Sequence, residues 1–243
     1  MDSTVEKKSG ARIISGSVLK LIALFTMMFD HTAKYLLIKI PECTTPFLVI
    51  FDQTFSVYSI MLFFGRFAFP IYCFLITEGY IHTHDRKKYG LSLLLFAVIS
   101  EIPWNLEHCN ALLYESQNVF FTLFLGYTAI CIHEKFKDET NKQIFGMAVV
   151  FAVCIVINAD YGVLGAALIL VMYALRGHKA AQAFIGAGMM SQPIPCALAF
   201  VPINMYNGER GFIRGKIFKY LFYALYPGHI LLIWYLRRTF FGY

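Results

Sequence analysis

Long apolar runs separated by short polar clusters set the pattern of this chain. After a polar and basic opening over residues 1–17, the sequence is mostly apolar from Val18 to Ile40. Further apolar stretches lie at Ser59–Tyr80, Tyr89–Trp104, Val119–His133, Ile144–Asn158, Tyr161–Leu175, Ala180–Ile203 and Ile217–Leu236. The pattern predicts a tail over 1–17 and one all-α domain over 18–238, a polytopic membrane bundle of about eight transmembrane helices. The first run is longer than a signal-peptide core and no A-x-A site closes it, so it reads as an uncleaved anchor. Pro193, Pro195 and Pro202 make the seventh stretch the irregular one, expected to be kinked or re-entrant.

Composition excludes the alternatives. Of 243 residues, 58% are hydrophobic and 15% charged, with a mean hydropathy of +0.59, whereas a soluble domain carries roughly 25% charged residues. Neither the alternating strands of an outer-membrane barrel nor internal repeats are present. The formal charge of +6 reflects Lys and Arg at helix ends rather than a nucleic-acid surface, because no basic stretch is interleaved with exposed aromatics. Lys7, Lys8 and Arg12, then Arg86–Lys88, Lys135 to Lys142, Arg176 with Lys179, and Arg237 with Arg238 all fall on one side of an eight-span scheme. Positive charge marks the cytoplasmic side, so both termini are expected there, in a multi-pass protein of the cell membrane. One loop disagrees: Arg210, Arg214 and Lys216 would face outward unless the seventh stretch does not fully cross. The six cysteines form no C-x-x-C pair, so neither a metal nor a redox motif is implied, and a Cys43–Cys109 disulfide is not expected.

An ionisable group inside a span is expensive and therefore a functional candidate. Lys20 and His31 are eleven residues apart, close to three whole turns and about 16 Å of rise, so they share one face of the first helix. Asp30 points about 100° away from its neighbour and is expected to meet another helix. Arg66 lies between Gly65 and Pro70, which predict a local kink that aims it inward. Glu78 and His82, at i and i+4, form either a proton-transfer pair or a plain helix-end pair. Glu101 precedes Pro103, read as a helix stop, and an outer turn accounts for Asp160-Tyr161-Gly162. In the last span Tyr226-Pro227-Gly228-His229 predicts a kink with exposed hydrogen-bonding groups, where Gly228 permits close approach and His229 sits at the kink. A neutral histidine near neutral pH is a good general base, and as imidazolium it can protonate a leaving thiolate. Serine-hydrolase, metalloprotease and phosphate-loop motifs are absent.

Leu19-Lys20 to Phe29-Asp30-His31, Gly65-Arg66-Phe67-Ala68-Phe69-Pro70-Ile71, Glu78-Gly79 with His82-Thr83, Ser100-Glu101-Ile102-Pro103, Asn118 to Leu123, Ala159-Asp160-Tyr161-Gly162, Tyr206 to Gly211, and Lys219-Tyr220 through His229 occur in an order and spacing that resemble the TraX family. That family resembles the wider membrane acyltransferases, which include the type-3 acyltransferases and the heparan glucosaminide N-acetyltransferase. The resemblance implies acetyl transfer from cytoplasmic acetyl-CoA to an amine in or across the membrane, as the family's type member acetylates the N-terminal amine of F-type pilin, without fixing the acceptor. It implies His31 as the catalytic histidine, with Asp30 and Arg66 shaping the site. Lys20, Arg86, Lys88, Tyr226 and His229 are then the candidates to hold acetyl-CoA, and Glu78, Glu101, Asn207 and Arg210 those to meet the acceptor. The R-x-x-R pair of the type-3 branch is missing; the nearest cytoplasmic cluster is Arg86-Lys87-Lys88. The acceptor is expected to be an amine such as a pilin-like peptide N-terminus, or a hydroxyl if a glycan or lipid is the substrate; a transporter or flippase is the alternative from another class. Lipid is an expected partner; nucleic acid and metal are not.

Overall fold

The computed structural model describes residues 12–242; Lys7 and Lys8 lie outside them. Among these residues are eleven α-helices and one short hairpin. Helix α1 (Gly16–Tyr35) starts at Ser15, whose side chain accepts from the Val18 amide. After a 3-10 turn, α2 (Pro41–Thr44) and the strands β1 (Leu48–Ile50) and β2 (Gln53–Phe55) form a polar-to-apolar cap. The strands are antiparallel, with Leu48 opposite Phe55 and Ile50 opposite Gln53. Phe51 and Asp52 both take positive φ, the backbone a two-residue hairpin turn requires. This cap was not legible in the hydrophobic pattern.

The predicted second span is two helices, α3 (Val57–Gly65) and α4 (Ala68–His82), which break at Arg66-Phe67. A serine capping box, Ser56 with Ser59, starts α3. Pro70 has no amide proton for the Arg66 carbonyl, and that oxygen instead accepts from the Cys196 thiol at 3.7 Å. Helix α5 (Arg86–Cys109) starts on Asp85. It passes through Pro103 and ends at Asn110, which takes φ 51°. The expected stop at Pro103 is thus overturned: a proline removes one helical bond, and buried Trp104, Asn105 and Glu107 hold the helix together beyond it. Helices α6 (Val119–Lys135), α7 (Thr140–Val156) and α8 (Gly162–Ala174) follow and pack on one another.

The irregular seventh stretch separates into α9 (Lys179–Gly188) and α10 (Pro193–Asn204). At 1.5 Å per residue these helices reach only about 15 and 18 Å. They lie against each other as a hairpin, with Gly186 against the Phe200 ring and the Lys179 ammonium donating to the Asn204 carbonyl at 2.7 Å. The chain therefore leaves this element at the end where it entered. Helix α11 (Lys216–Phe241) closes the bundle and continues through Pro227. The close approach expected at Gly228 is not found, since a Cβ there would meet nothing within 4 Å.

Contacts define two ends of the bundle. At the near end, the segment after α10 wraps the start of α1: Ile14 bridges Tyr206, the Gly16 amide donates to Glu209 at 2.8 Å, and the Ser17 hydroxyl donates to the Arg210 carbonyl at 2.8 Å. At the far end, Tyr35 of α1 meets His108 of α5, and Arg237 of α11 meets Glu107. So α1, α5 and α11 run the same way, and residues 12 and 242 sit at opposite ends. Eight plain spans would put these two residues at the same end; they lie at opposite ends because the α9–α10 hairpin returns to the end where it began.

Four helical stretches are long and apolar enough to span a membrane: Gly16–Lys39, Val57–His82, Arg86–Cys109 and Lys216–Phe241. Leu91, Leu95, Val98 and Ile102 give α5 one apolar face at i, i+4, i+7 and i+11 that is more than half exposed, the signature of a lipid-facing stripe. The opposite faces of α1, α4, α6 and α8 bury Leu19, Ala23, Ile71, Ile130, Leu168 and Met172 completely. The molecule is a helical membrane protein.

Candidate functional site

A cavity of about 550 Å³ opens between α1, α4, α5, α6, α11 and the 205–213 segment. Lys20, Arg210 and Lys219 line it, as do Glu78 and His82, and its deeper wall includes Met27, Phe120 and Tyr226. Lys20 and Met27 are two helical turns apart on α1, so the cavity runs roughly 10 Å along that helix from the near end inward. The segment pinned to Ser17 brings Arg210 within electrostatic reach of both lysines. Lys219 is held by the Ser92 hydroxyl at 3.1 Å and lies 5.5 Å from the Tyr89 ring centre and 5.6 Å from that of Tyr223. None of the three cations pairs with a carboxylate among the described residues, whereas Glu78 is engaged by His82 at 3.2 Å and by Tyr206. Three gathered cations without counter-ions above aromatic walls make a receptor for an anionic ligand with a slender, partly apolar arm.

Tyr226 separates this cavity from a pair of histidines. Its ring lies edge-on to His31, 6.0 Å between centroids, and to His229, 5.7 Å. His31 Nδ1 and His229 Nε2 are 2.5 Å apart. The two ring planes differ by 2° and their centroids by 4.8 Å, which is the nitrogen gap plus two ring radii. The rings therefore meet edge to edge in one plane, not face to face. His229 is buried because Tyr226, His229, Ile230 and Ile233 fall on one stripe of α11, and its Nδ1 is 2.9 Å from the Leu225 carbonyl. His31 is half-buried, and its Nε2 makes no hydrogen bond among the described residues. The sequence placed these two histidines 198 residues apart in separate candidate groups; the fold makes them one unit.

Beyond the pair, toward the far end, lies a second polar group. Asp30 pairs with Lys34 one turn on and stands 3.7 Å from the Arg66 guanidinium, so it contacts another helix, as its direction on α1 required, and not His31. Gly65 makes this possible: a Cβ there would sit 2.6 Å from Cβ of Asp30. Tyr35, whose ring is 5.9 Å from His31, shares a hydrogen bond of 2.9 Å with His108, whose Nδ1 donates to the Trp104 carbonyl. A turn alone accounts for Asp160 in the sequence, yet in the fold it stands within electrostatic reach of Asp30, Lys34, Arg66 and Tyr35. One face of it is open to solvent, but the protein around its carboxyl desolvates it, and burial pushes it up to about 6 against the pull of Lys34. An unpaired acid facing a basic cluster was the missed signal, and only the return of the α7–α8 turn onto the end of α1 reveals it.

Other candidates sit elsewhere. The Glu101 carboxylate accepts from both the main-chain and side-chain amides of Asn118, which itself caps α6 through Phe120. Arg86 lies over the Tyr80 ring, 4.2 Å from its centre, and Lys88 pairs with Asp85 at 2.8 Å; neither lines the cavity. Asn207 shapes the near-end turn by accepting from the Glu209 amide. Arg210 and Lys219, not the Arg86 cluster, supply the cavity's positive charge together with Lys20.

The chain is 26% identical over 244 residues to the probable fimbrial assembly protein FimC, serogroup H1, of Dichelobacter nodosus, covering 88% of this chain and 92% of that protein. No solved structure matches it. The family profile described as TraX protein matches residues 15–237, which takes in the cavity, the histidine pair and the α9–α10 hairpin, and the chain belongs to the TraX family.

Proposed function

We propose that this protein is a pilus-related acetyltransferase of the cell membrane, moving an acetyl group from cytoplasmic acetyl-CoA to an amine acceptor that reaches His31 from the far side. The observation that carries the reading is the cation-rimmed cavity that ends, at Tyr226, against the joined histidines. The name of the fimbrial relative supports a pilin-like peptide N-terminus as acceptor.

Orientation fits the donor. With α9–α10 re-entrant there are seven crossings, by α1, α3 with α4, α5, α6, α7, α8 and α11. Arg210, Arg214 and Lys216 then join Arg86–Lys88, Lys135 to Lys142 and Lys179 at the near end, against Lys34, Lys39, Arg237 and Arg238 at the far end, and this excess supports a cytoplasmic near end by the positive-inside rule. The residue-242 end faces outward. The diphosphate and 3′-phosphate of acetyl-CoA meet Lys20, Arg210 and Lys219, and the pantetheine arm follows the tyrosine-lined wall toward Tyr226.

In the transfer, His31 takes a proton from the acceptor nitrogen as the nitrogen bonds to the thioester carbonyl carbon. The tetrahedral species collapses, the C–S bond breaks, and the imidazolium returns the proton to the departing thiolate. The products are an N-acetylated acceptor and free CoA. Asp30, Lys34, Arg66 and Asp160 form the polar surface on which the acceptor approaches. The test is purified protein with radiolabelled acetyl-CoA and paired amine and hydroxyl acceptors. Transfer to the amine, lost in His31→Ala with the fold intact, is expected. Full activity of that variant overturns the role of His31, transfer only to hydroxyls makes the protein an O-acyltransferase, and no binding of acetyl-CoA removes the reading altogether.

A further inference from the structure

We propose that His229 is a positioning residue that fixes the tautomer of His31, so that Nε2 of His31 carries the free lone pair. This rests on the acetyltransferase reading for its purpose, though not for its geometry. A carbonyl oxygen only accepts, so the nitrogen of His229 that contacts Leu225, Nδ1, must hold a proton. In a neutral imidazole the other nitrogen is then an acceptor. His229 Nε2 is the atom that faces His31 Nδ1 at 2.5 Å, so the proton between them belongs to His31 Nδ1. The remaining nitrogen of His31 is left bare, and no hydrogen bond occupies it among the described residues. The chain of bonds runs from the Leu225 carbonyl through His229 to His31, each ring passing its donor role along.

The coplanar rings make the arrangement directional. When His31 gains a proton at Nε2, its Nδ1–H still points at the His229 lone pair, so the imidazolium formed during transfer keeps its acceptor without any rotation. If His229 took up a proton at Nε2 instead, it would donate to His31 Nδ1, and the hydrogen of His31 would have to sit on Nε2, where the base is needed. His229 must therefore stay neutral. Its surroundings favour that: it is buried on the apolar stripe of α11 with Tyr226 beside it and, among the described residues, no carboxylate in contact. The groups facing His31 are His229 and Tyr226 from α11, Lys34 and Tyr35 from its own helix, and His108 from α5. Among the described residues no acid touches either ring, so this pair does with a second histidine what a carboxylate does in the acid–histidine pairs of hydrolases.

The experiment combines nitrogen NMR of ¹⁵N-histidine-labelled full-length protein in detergent with acetyl-CoA turnover. The wild type should show His31 protonated at Nδ1 and bare at Nε2. His229→Ala should mix the tautomers and lower kcat by roughly ten- to a hundredfold with KM for acetyl-CoA little changed, the pattern of a group that acts only in the transition state. His229→Gln, whose amide oxygen can stand where Nε2 stood, should restore the tautomer and most of kcat, although it cannot carry a proton. A His31 protonated at Nε2 in the wild type, or a kcat unchanged in His229→Ala, overturns the proposal. So does a Gln variant no better than Ala. Should His229→Ala fail to fold, the wild-type tautomer and the Gln variant decide. Wild-type protein with the expected tautomer but no turnover would count against the acetyltransferase reading and leave the hydrogen-bond chain standing.

Discussion

The end of α11 that carries His229 is anchored two turns further on by one buried ion pair, and breaking it should cost more than any surface change. Glu107 has no exposed surface, and the Arg237 side chain is 16% exposed. Arg237 Nη1 lies 2.9 Å from the carboxylate, and Nη2 donates to the Glu107 main-chain carbonyl at 2.5 Å. Arg237→Ala strands a fully buried carboxylate without the cation that pairs it, a loss in the range of about 3–5 kcal/mol. The variant should therefore lose roughly 6–20 °C of thermal midpoint. Paired Glu107→Gln and Arg237→Met should return to within about 1 kcal/mol of the wild type, because no charge is then stranded. Thermal unfolding of the detergent-purified protein reads both variants against the wild type. An Arg237→Ala midpoint within about 2 °C of the wild type would refute the reasoning.

Gly65→Ala places a Cβ 2.6 Å from Cβ and 2.8 Å from Cα of Asp30, so α1 and α3 must move apart; about 1–3 kcal/mol of destabilisation is expected in the same unfolding assay. Lys20→Ala and Arg210→Ala should each weaken acetyl-CoA binding by about 1.5–3 kcal/mol, roughly ten- to a hundredfold in Kd by titration, with a shallower salt dependence, while Lys88→Ala outside the cavity should leave Kd unchanged. Asp160 has a folded pKa raised above its unfolded value, so it opposes folding as pH climbs from about 4 to about 6 and does so fully above that. Asp160→Asn should accordingly raise stability at pH 7, leave it unchanged below pH 4, and flatten the slope between. Exposed Cys109 at the far end should react in whole cells with a membrane-impermeant maleimide without prior reduction, since the described cysteines are free; labelling only after permeabilisation would reverse the proposed orientation.

Much of this molecule was legible in order along the chain. Scarce charge and long apolar runs determined a membrane bundle, because lipid rejects unpaired polar backbone and only helices satisfy their own. The spacing of Lys20 and His31 fixed their common face of α1, since helical periodicity is a local property. The break at Arg66 followed from Pro70, and the three prolines after Ala180 announced that the seventh stretch would not be a plain span. Other features depend on which elements meet. Pro103 did not end its helix, because buried contacts outweigh one missing hydrogen bond. The outlying loop of Arg210, Arg214 and Lys216 lends Arg210 to the cavity rim only because α9 and α10 fold back on each other, which also sends the last helix toward the opposite end. Glu101 turned out to brace Asn118, and Asp160 to face Lys34, through contacts no sequence pattern encodes. The sequence by itself determined the solvent, the helices and the few polar groups within them. The tertiary structure decided that His31 and His229, 198 residues apart, share one hydrogen bond: a contact needs two helices in register, and the period of each helix says nothing about the other.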